Sequence, residues 1–332
     1  MSPFTLKRPL IFALLPTLAV ATMAPAQDGA LPPKDFAASG IAASGIAAPD
    51  IVATGVDRHD RMTVPVQING KGPFDFLVDT GARNTVVSHT LAGRLALTSR
   101  RRAMLVGMSG SRMVDTVDLE QVDLGPRSYY GLIAPLLDAG DIGAEGILGT
   151  DSLQGQRVVL DFLRHTIAID DGKAAGSGDG YEIVVRARKR SGQLIMTNAV
   201  IDDIRVDVVI DTGASTTVGN RALQRAMRHR PGQQATLTGV TGQPLATDIG
   251  LARLLTINDL NTTNVLIAFA DSPAFAELRL NRRPAIFLGM RELRAFNRVA
   301  IDFTSRRILF DIPGAAQGTA CRQWATRLNC QP

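Results

Sequence analysis

Phe74-Asp75-Phe76-Leu77-Val78-Asp79-Thr80-Gly81-Ala82 and Val206-Asp207-Val208-Val209-Ile210-Asp211-Thr212-Gly213-Ala214 are two renderings of one stretch. Each is an apolar strand that ends in Asp-Thr-Gly-Ala. Between 74–86 and 206–218, seven of thirteen residues are identical at a constant offset of 132. A single Asp-Thr-Gly after a strand reads as an ordinary turn. Its repetition together with its flanks does not, and the organisation of the chain follows from it.

Three further landmarks recur in the same order. Gly107-Met108-Ser109-Gly110 corresponds to Gly239-Val240-Thr241-Gly242, again at offset 132. Ile147-Leu148-Gly149 corresponds to Phe287-Leu288-Gly289 at offset 140, and Val158–Phe162 to Val299–Phe303 at offset 141. The whole unit is therefore duplicated. One repeat of this length means two similar domains, not a solenoid, which needs three or more short units. Short alternating runs such as 62–68, bounded by Asn69-Gly70 and Gly72-Pro73, read as strands and turns. The helical patterns, 89–97 and 221–229, are short. The expected fold is all-β: two lobes, each a small closed β-structure, with a cleft between them. The boundaries are 51–171 for the first lobe, 172–180 for a Gly-rich linker and 181–312 for the second lobe.

The ends read differently. Residues 1–26 have a basic start at Lys7 and Arg8, a short apolar run and Ala24-Pro25-Ala26, the pattern of a secretory signal. The run is too short to span a bilayer comfortably, so no stable membrane insertion is expected after its removal, and the protein is placed in the periplasm or outside the cell. Residues 27–50 contain a five-residue echo of Ala-Ser-Gly-Ile-Ala, a low-complexity leader. In the tail, 313–332, Cys321 and Cys330 would pair in an oxidising compartment. Nine residues of straight helix rise about 13.5 Å, against a limit of roughly 7 Å between bridged Cα atoms, so pairing requires the tail to turn back.

The formal charge is +5, and about +3 once the signal is removed, too mild to indicate nucleic acid. The basic runs Arg100–Arg102 and Arg186–Arg190 read as solvated surface. His59, His89, His165 and His229 lack ligand spacing, there is no Gly-x-Ser-x-Gly elbow, and no cofactor or metal is expected.

Two lobes related by a pseudo-twofold axis would bring Asp79 and Asp211 together. Carboxylates in contact cannot both ionise, so they share a proton at intermediate pH. One then serves as base toward a water and the other as acid toward a carbonyl.

In these motifs the chain resembles pepsin-like and retropepsin-like aspartic proteases, in particular bacterial periplasmic members with two retropepsin-like lobes in one polypeptide. The resemblance covers roughly 51–312. It implies hydrolysis of an extended peptide by a water activated between Asp79 and Asp211, in a chain active as a monomer. It also implies that Thr80 and Thr212 interlock the lobes, with Gly81 and Gly213 supporting the dyad. The turns Gly107–Gly110 and Gly239–Gly242 stand where flaps stand. Ala82 and Ala214 occupy positions where pepsin-like enzymes often carry a hydroxyl, which predicts a pH optimum nearer neutrality. Two other readings compete. Asp-x-Gly-x-x-x-Thr, also present twice, resembles the phosphate loops of actin-like ATPases, but those need long helices on mixed sheets. A catalytically silent peptide-binding or regulatory relative would keep the fold without the chemistry.

Overall fold

A computed structural model describes residues 49–57, 59–172, 180–228 and 232–313. The expected signal, nearly all of the leader, most of the linker, His229 and the tail with Cys321 and Cys330 lie outside the described residues.

The first half runs β1 (Asp50–Ala53), β2 (Gly55–Val56), β3 (Met62–Ile68), β4 (Lys71–Val78), β5 (Val86–Ser88), α1 (His89–Arg94), β6 (Ser99–Val106), β7 (Ser111–Leu124), β8 (Arg127–Leu137), α2 (Ala139–Ile142), β9 (Gly146–Leu148), α3 (Thr150–Leu153), β10 (Arg157–Asp161) and β11 (Thr166–Asp170). The second runs β12 (Ile183–Arg190), β13 (Gln193–Ile201), β14 (Ile204–Ile210), β15 (Thr217–Asn220), α4 (Arg221–Ala226), β16 (Gln234–Thr238), β17 (Pro244–Ile257), β18 (Leu260–Ala270), α5 (Pro273–Glu277), β19 (Ala285–Leu288), α6 (Met290–Leu293), β20 (Arg298–Asp302) and β21 (Arg307–Asp311).

Local chemistry sets many of these boundaries. Asn69 and Gly70 both take positive φ, 50° and 72°, the primed turn that suits the twist of a hairpin. Asp202 and Asp203 do the same between β13 and β14. Gly72-Pro73, expected in the first turn, lies inside β4 instead. The Ser88 hydroxyl caps α1 by accepting from the Leu91 N–H at 3.1 Å, and Asn220 caps α4 in the same way at 2.8 Å. Both helices are shorter than their apolar patterns. Ala96 and Arg228 turn left-handed just beyond them.

The two lobes share one strand order. In the first it is β3-β4-β9-β5-β8-β7-β6, with β2 outside β3; in the second, β13-β14-β19-β15-β18-β17-β16. Each closes on itself through an extra pairing, β3 with β7 and β13 with β17. The parallel pairs β4–β9 and β14–β19 run through the middle of each lobe.

The hairpins that end each half leave the lobes. They join in a layer common to both, β1-β11-β10-β20-β21-β12. Its centre is the antiparallel pair β10–β20, where Val159 faces Ala300. The first part of β12 pairs with β21, and its last part with β13, so the layer is continuous with the second lobe. A single apolar cluster runs from Phe76 and Leu119 through Leu160 and Ile301 to Phe310.

Leu160 is fully buried in this layer. Leu160→Ala is expected to cost about 2–5 kcal/mol. Urea denaturation would check this, and an unchanged midpoint would mean that the layer does not hold the halves together.

Candidate active site

Each Asp-Thr-Gly loop hangs from the end of a central strand. Asp79 follows β4, and its N–H donates to Leu148 O at 3.1 Å. Asp211 follows β14, and its N–H donates to Leu288 O at 3.0 Å. The strand ahead of the loop and the parallel strand beside it thus fix each backbone. The loop is then clasped from below. The Thr150 N–H donates to Ala82 O at 2.9 Å, and the Met290 N–H to Ala214 O at 2.8 Å. The glycines that start these clasps pass against backbone. A Cβ on Gly149 would lie 2.4 Å from the Asn84 carbonyl carbon, and one on Gly289 2.7 Å from that of Thr216. Thr85 and Thr217 tie the clasps down through hydroxyl bonds to Asp151 and Glu292, respectively.

The two loops meet. The Thr80 N–H donates to Thr212 Oγ1 at 3.0 Å, and the Thr80 hydroxyl donates to Ile210 O at 2.9 Å. Reciprocally, the Thr212 hydroxyl donates to Val78 O at 2.7 Å. Both threonines are buried, so each bond is made away from water, where leaving it unmade is expensive.

This interlock presses each aspartate onto the glycine of the opposite loop. A Cβ on Gly213 would lie 2.2 Å from Asp79 Cγ, and one on Gly81 2.6 Å from Asp211 Oδ1. Only glycine permits that approach. Asp79 Oδ1 accepts from the N–H groups of Gly81 and Ala82 at 2.7 and 2.9 Å, and Asp211 Oδ1 accepts from Gly213 at 3.1 Å.

The pair is electrically unequal. Burial raises Asp79 above its ordinary range, opposed by the Gly81 and Ala82 N–H groups and by the charge of Arg61. Asp211 stands well above that range, through burial and then through the negative charge of Asp79. Arg61 is a cation that acts on the Asp79 side of the pair. Its buried guanidinium donates to Gly213 O at 3.2 Å and to Ile142 O at 2.6 Å, and it grips Asp57 Oδ2 through two nitrogens at 2.6 and 3.0 Å. The position 132 residues later holds Gln193, whose side-chain amide donates to Gly81 O. The two loops are bracketed by equivalent positions, one cationic and one neutral.

The turns Gly107–Gly110 and Gly239–Gly242 are the tips of the β6–β7 and β16–β17 hairpins. They meet over the cleft, where Ser109 Oγ lies 3.0 Å from Thr241 Oγ1 and accepts from the Gly239 N–H at 3.1 Å. Each tip leans on the opposite lobe. Met108 packs beside Phe275, Leu278 and Phe287, and its carbonyl accepts from the Ser272 hydroxyl at 2.5 Å. Val240 packs beside Val86, Leu137 and Ile147. The cleft beneath has a volume of about 310 Å³, with both aspartates in its floor.

Sequence reasoning singled out the aspartates, the Thr-Gly pairs and both tips; the structure brings Asp79, Asp211, Gly81, Gly213 and part of each tip to one cleft, with Thr80 and Thr212 buried at the loop junction. It missed Arg61 and Gln193, although their spacing of 132 was a usable signal. It also missed Ser272 and the Arg83–Glu277 ion pair that bridges the lobes beside the cleft.

Residues 64–155 match a family described as gag-polyprotein putative aspartyl protease, and residues 197–291 match one described as aspartyl protease. No curated protein matches the chain.

An acid whose folded pKa is raised supports the fold fully below its unfolded value, near 3.8 for aspartate, and loses that contribution as pH rises through the folded value. Asp211→Asn removes this pH-dependent loss. Its Tm should therefore gain on wild type as pH is raised from about 4 to 8. Thermal melts across that range check this, and a constant or shrinking gap would contradict it.

Proposed function

From the premise that this chain carries two retropepsin-like aspartyl protease domains in tandem, we propose that it is an aspartic endopeptidase whose active pair is Asp79 and Asp211. The observation that carries the reading is the seating of each carboxyl group on the glycine of the opposite loop across the lobe junction, which leaves the two side chains hydrogen-bonded to each other. Two acids held so close retain one proton between them, and their unequal surroundings divide the roles.

Asp79, whose charged form the guanidinium of Arg61 favours, is the ionised member. It takes a proton from a water as that water attacks the peptide carbonyl carbon. Asp211 holds the shared proton and gives it to the carbonyl oxygen, so no free alkoxide forms. Return of a proton to the amide nitrogen lets the C–N bond break. The meeting tips above the cleft support water exclusion and the seating of an extended peptide. Both aspartates belong to one chain, which supports activity as a monomer. The amino-terminal signal pattern supports a periplasmic or secreted location.

Wild type and the single variants Asp79→Asn and Asp211→Asn are tested on a diverse peptide library from pH 3 to 8, with cleavage read by mass spectrometry. Each substitution should lower cleavage by at least about a thousandfold. A wild type that folds but cuts nothing would favour a silent peptide-binding protein. Arg61→Gln supplies a finer test. Removing the cation raises Asp79, so the acidic limb of the kcat/KM profile should move to higher pH. An unmoved limb would remove Arg61 from the division of roles.

A further inference from the structure

A second cavity, of about 780 Å³, opens beside the cleft. Val106, Ser191 and Glu277 line both spaces, so the cavity is a side arm of the cleft. Its walls are the outer strand of the first flap hairpin, the β12–β13 turn, and α5 with the residues that follow it. Two guanidinium groups belong to it, Arg190 and Arg279. Arg190 is half-buried and tethered, donating to Leu278 O at 2.8 Å. Arg279 is exposed, on a backbone held left-handed at φ 53° just beyond α5. The one carboxylate in the wall, Glu277, is taken by Arg83 of the first lobe. Among the described residues neither Arg190 nor Arg279 has a carboxylate within ion-pair distance.

The equivalent end of the cleft in the first lobe differs, because its cations Arg61 and Arg112 stand against the carboxylates of Asp57 and Asp138. There the second tip rests against Asp141, so closely that a Cβ on Gly242 would lie 2.5 Å from Asp141 Oδ2. Asp138, the residue before α2, stands nearby with Arg112 at 3.9 Å. His59 also lines that side, 3.5 Å from Asp57. Among the described residues, the duplicated cleft thus carries two guanidinium groups without a carboxylate partner in one side arm, and Asp141 against the tip at the opposite end. An extended peptide lying through it meets such guanidinium groups, among the described residues, on one side only of the bond above the dyad.

We propose that the side arm formed by Arg190 and Arg279 is a specificity subsite that receives a carboxylate of the bound peptide, an acidic side chain or a chain terminus. This rests on the endopeptidase reading and adds to it a direction. The acidic group must lie on the side of the scissile bond that faces α5, which fixes which way the chain runs through a cleft whose two lobes are otherwise alike. Guanidinium forks suit carboxylates because two parallel N–H bonds match the two oxygens. Since Arg279 is exposed, the preference should be moderate and should weaken as salt is added.

The test uses the whole mature chain and short peptides with a central apolar pair. Each flanking position carries Glu, Gln or Lys in turn, and each peptide is made with a free and an amidated carboxyl end. For wild type, kcat/KM should favour Glu over Gln by about tenfold at positions on one side only, mainly through KM. If a free terminus is the group received, the same ratio appears between free and amidated ends. In Arg190→Gln/Arg279→Gln the ratio should fall to near one, and Arg279→Glu should reverse it toward Lys. A wild type that cleaves these peptides without charge preference overturns the proposal. So does a double variant that keeps the preference. Binding of the same peptides, fluorescently labelled, to Asp211→Asn separates this from the chemistry. If wild type cuts none of them, the endopeptidase reading fails alone, and the affinity ratio of acidic to neutral peptides still decides the subsite.

Discussion

Two carboxyl groups held against each other and largely withdrawn from water are an unfavourable arrangement, and most of the architecture around them serves to hold it. Desolvation disfavours either charge, and proximity disfavours both together. Left free, the loops would separate and hydrate. Four features prevent this. The Thr80–Thr212 interlock makes its bonds to strand carbonyls of the opposite lobe. The parallel strand pairs fix the loop roots. The clasps at Gly149 and Gly289 fix the loop undersides. The layer centred on β10 and β20 prevents the lobes from parting below. The dyad is thus a strained centre stabilised by everything adjacent to it, as functional sites commonly are.

Much of this was legible in the sequence because duplication makes weak signals strong. Asp-Thr-Gly-Ala, the turn glycines and the Leu-Gly clasps are short patterns, but their common order revealed two lobes and the residues at the centre of each. What was not legible depends on where strands end up. The strand 99–106 carries Arg100–Arg102 and reads as surface, since an edge strand facing solvent has no need of apolar alternation. The long strands 244–257 and 260–270 were unread because their turn, Asn258 with Asp259, has no glycine and sits directly between Ile257 and Leu260, so the apolar pattern runs on across it. The shared layer was invisible for another reason. Val158–Asp161 and Arg298–Asp302 look like the last strands of their own lobes, and only tertiary structure joins them.

Arg61 illustrates a third limit. A lone arginine after Asp57 and His59 reads as surface, and its burial becomes evident only once Asp57, Ile142 O and Gly213 O are seen to converge on it. An isolated buried guanidinium would be costly, but this one has a carboxylate partner and carbonyl acceptors for most of its N–H groups. The guanidinium acts on Asp79 through a medium that screens poorly.

That bracket also bears on what fusion of the two halves permits. In an enzyme assembled from two identical chains, every substitution is made twice, and a residue beside one loop must appear beside the other. Here a codon at position 61 and a codon at position 193 are independent. One could remain or become arginine while the other became glutamine. Covalent duplication thus frees the sides of a symmetric site to diverge, so that each can be altered by mutation without the same change being forced on its counterpart.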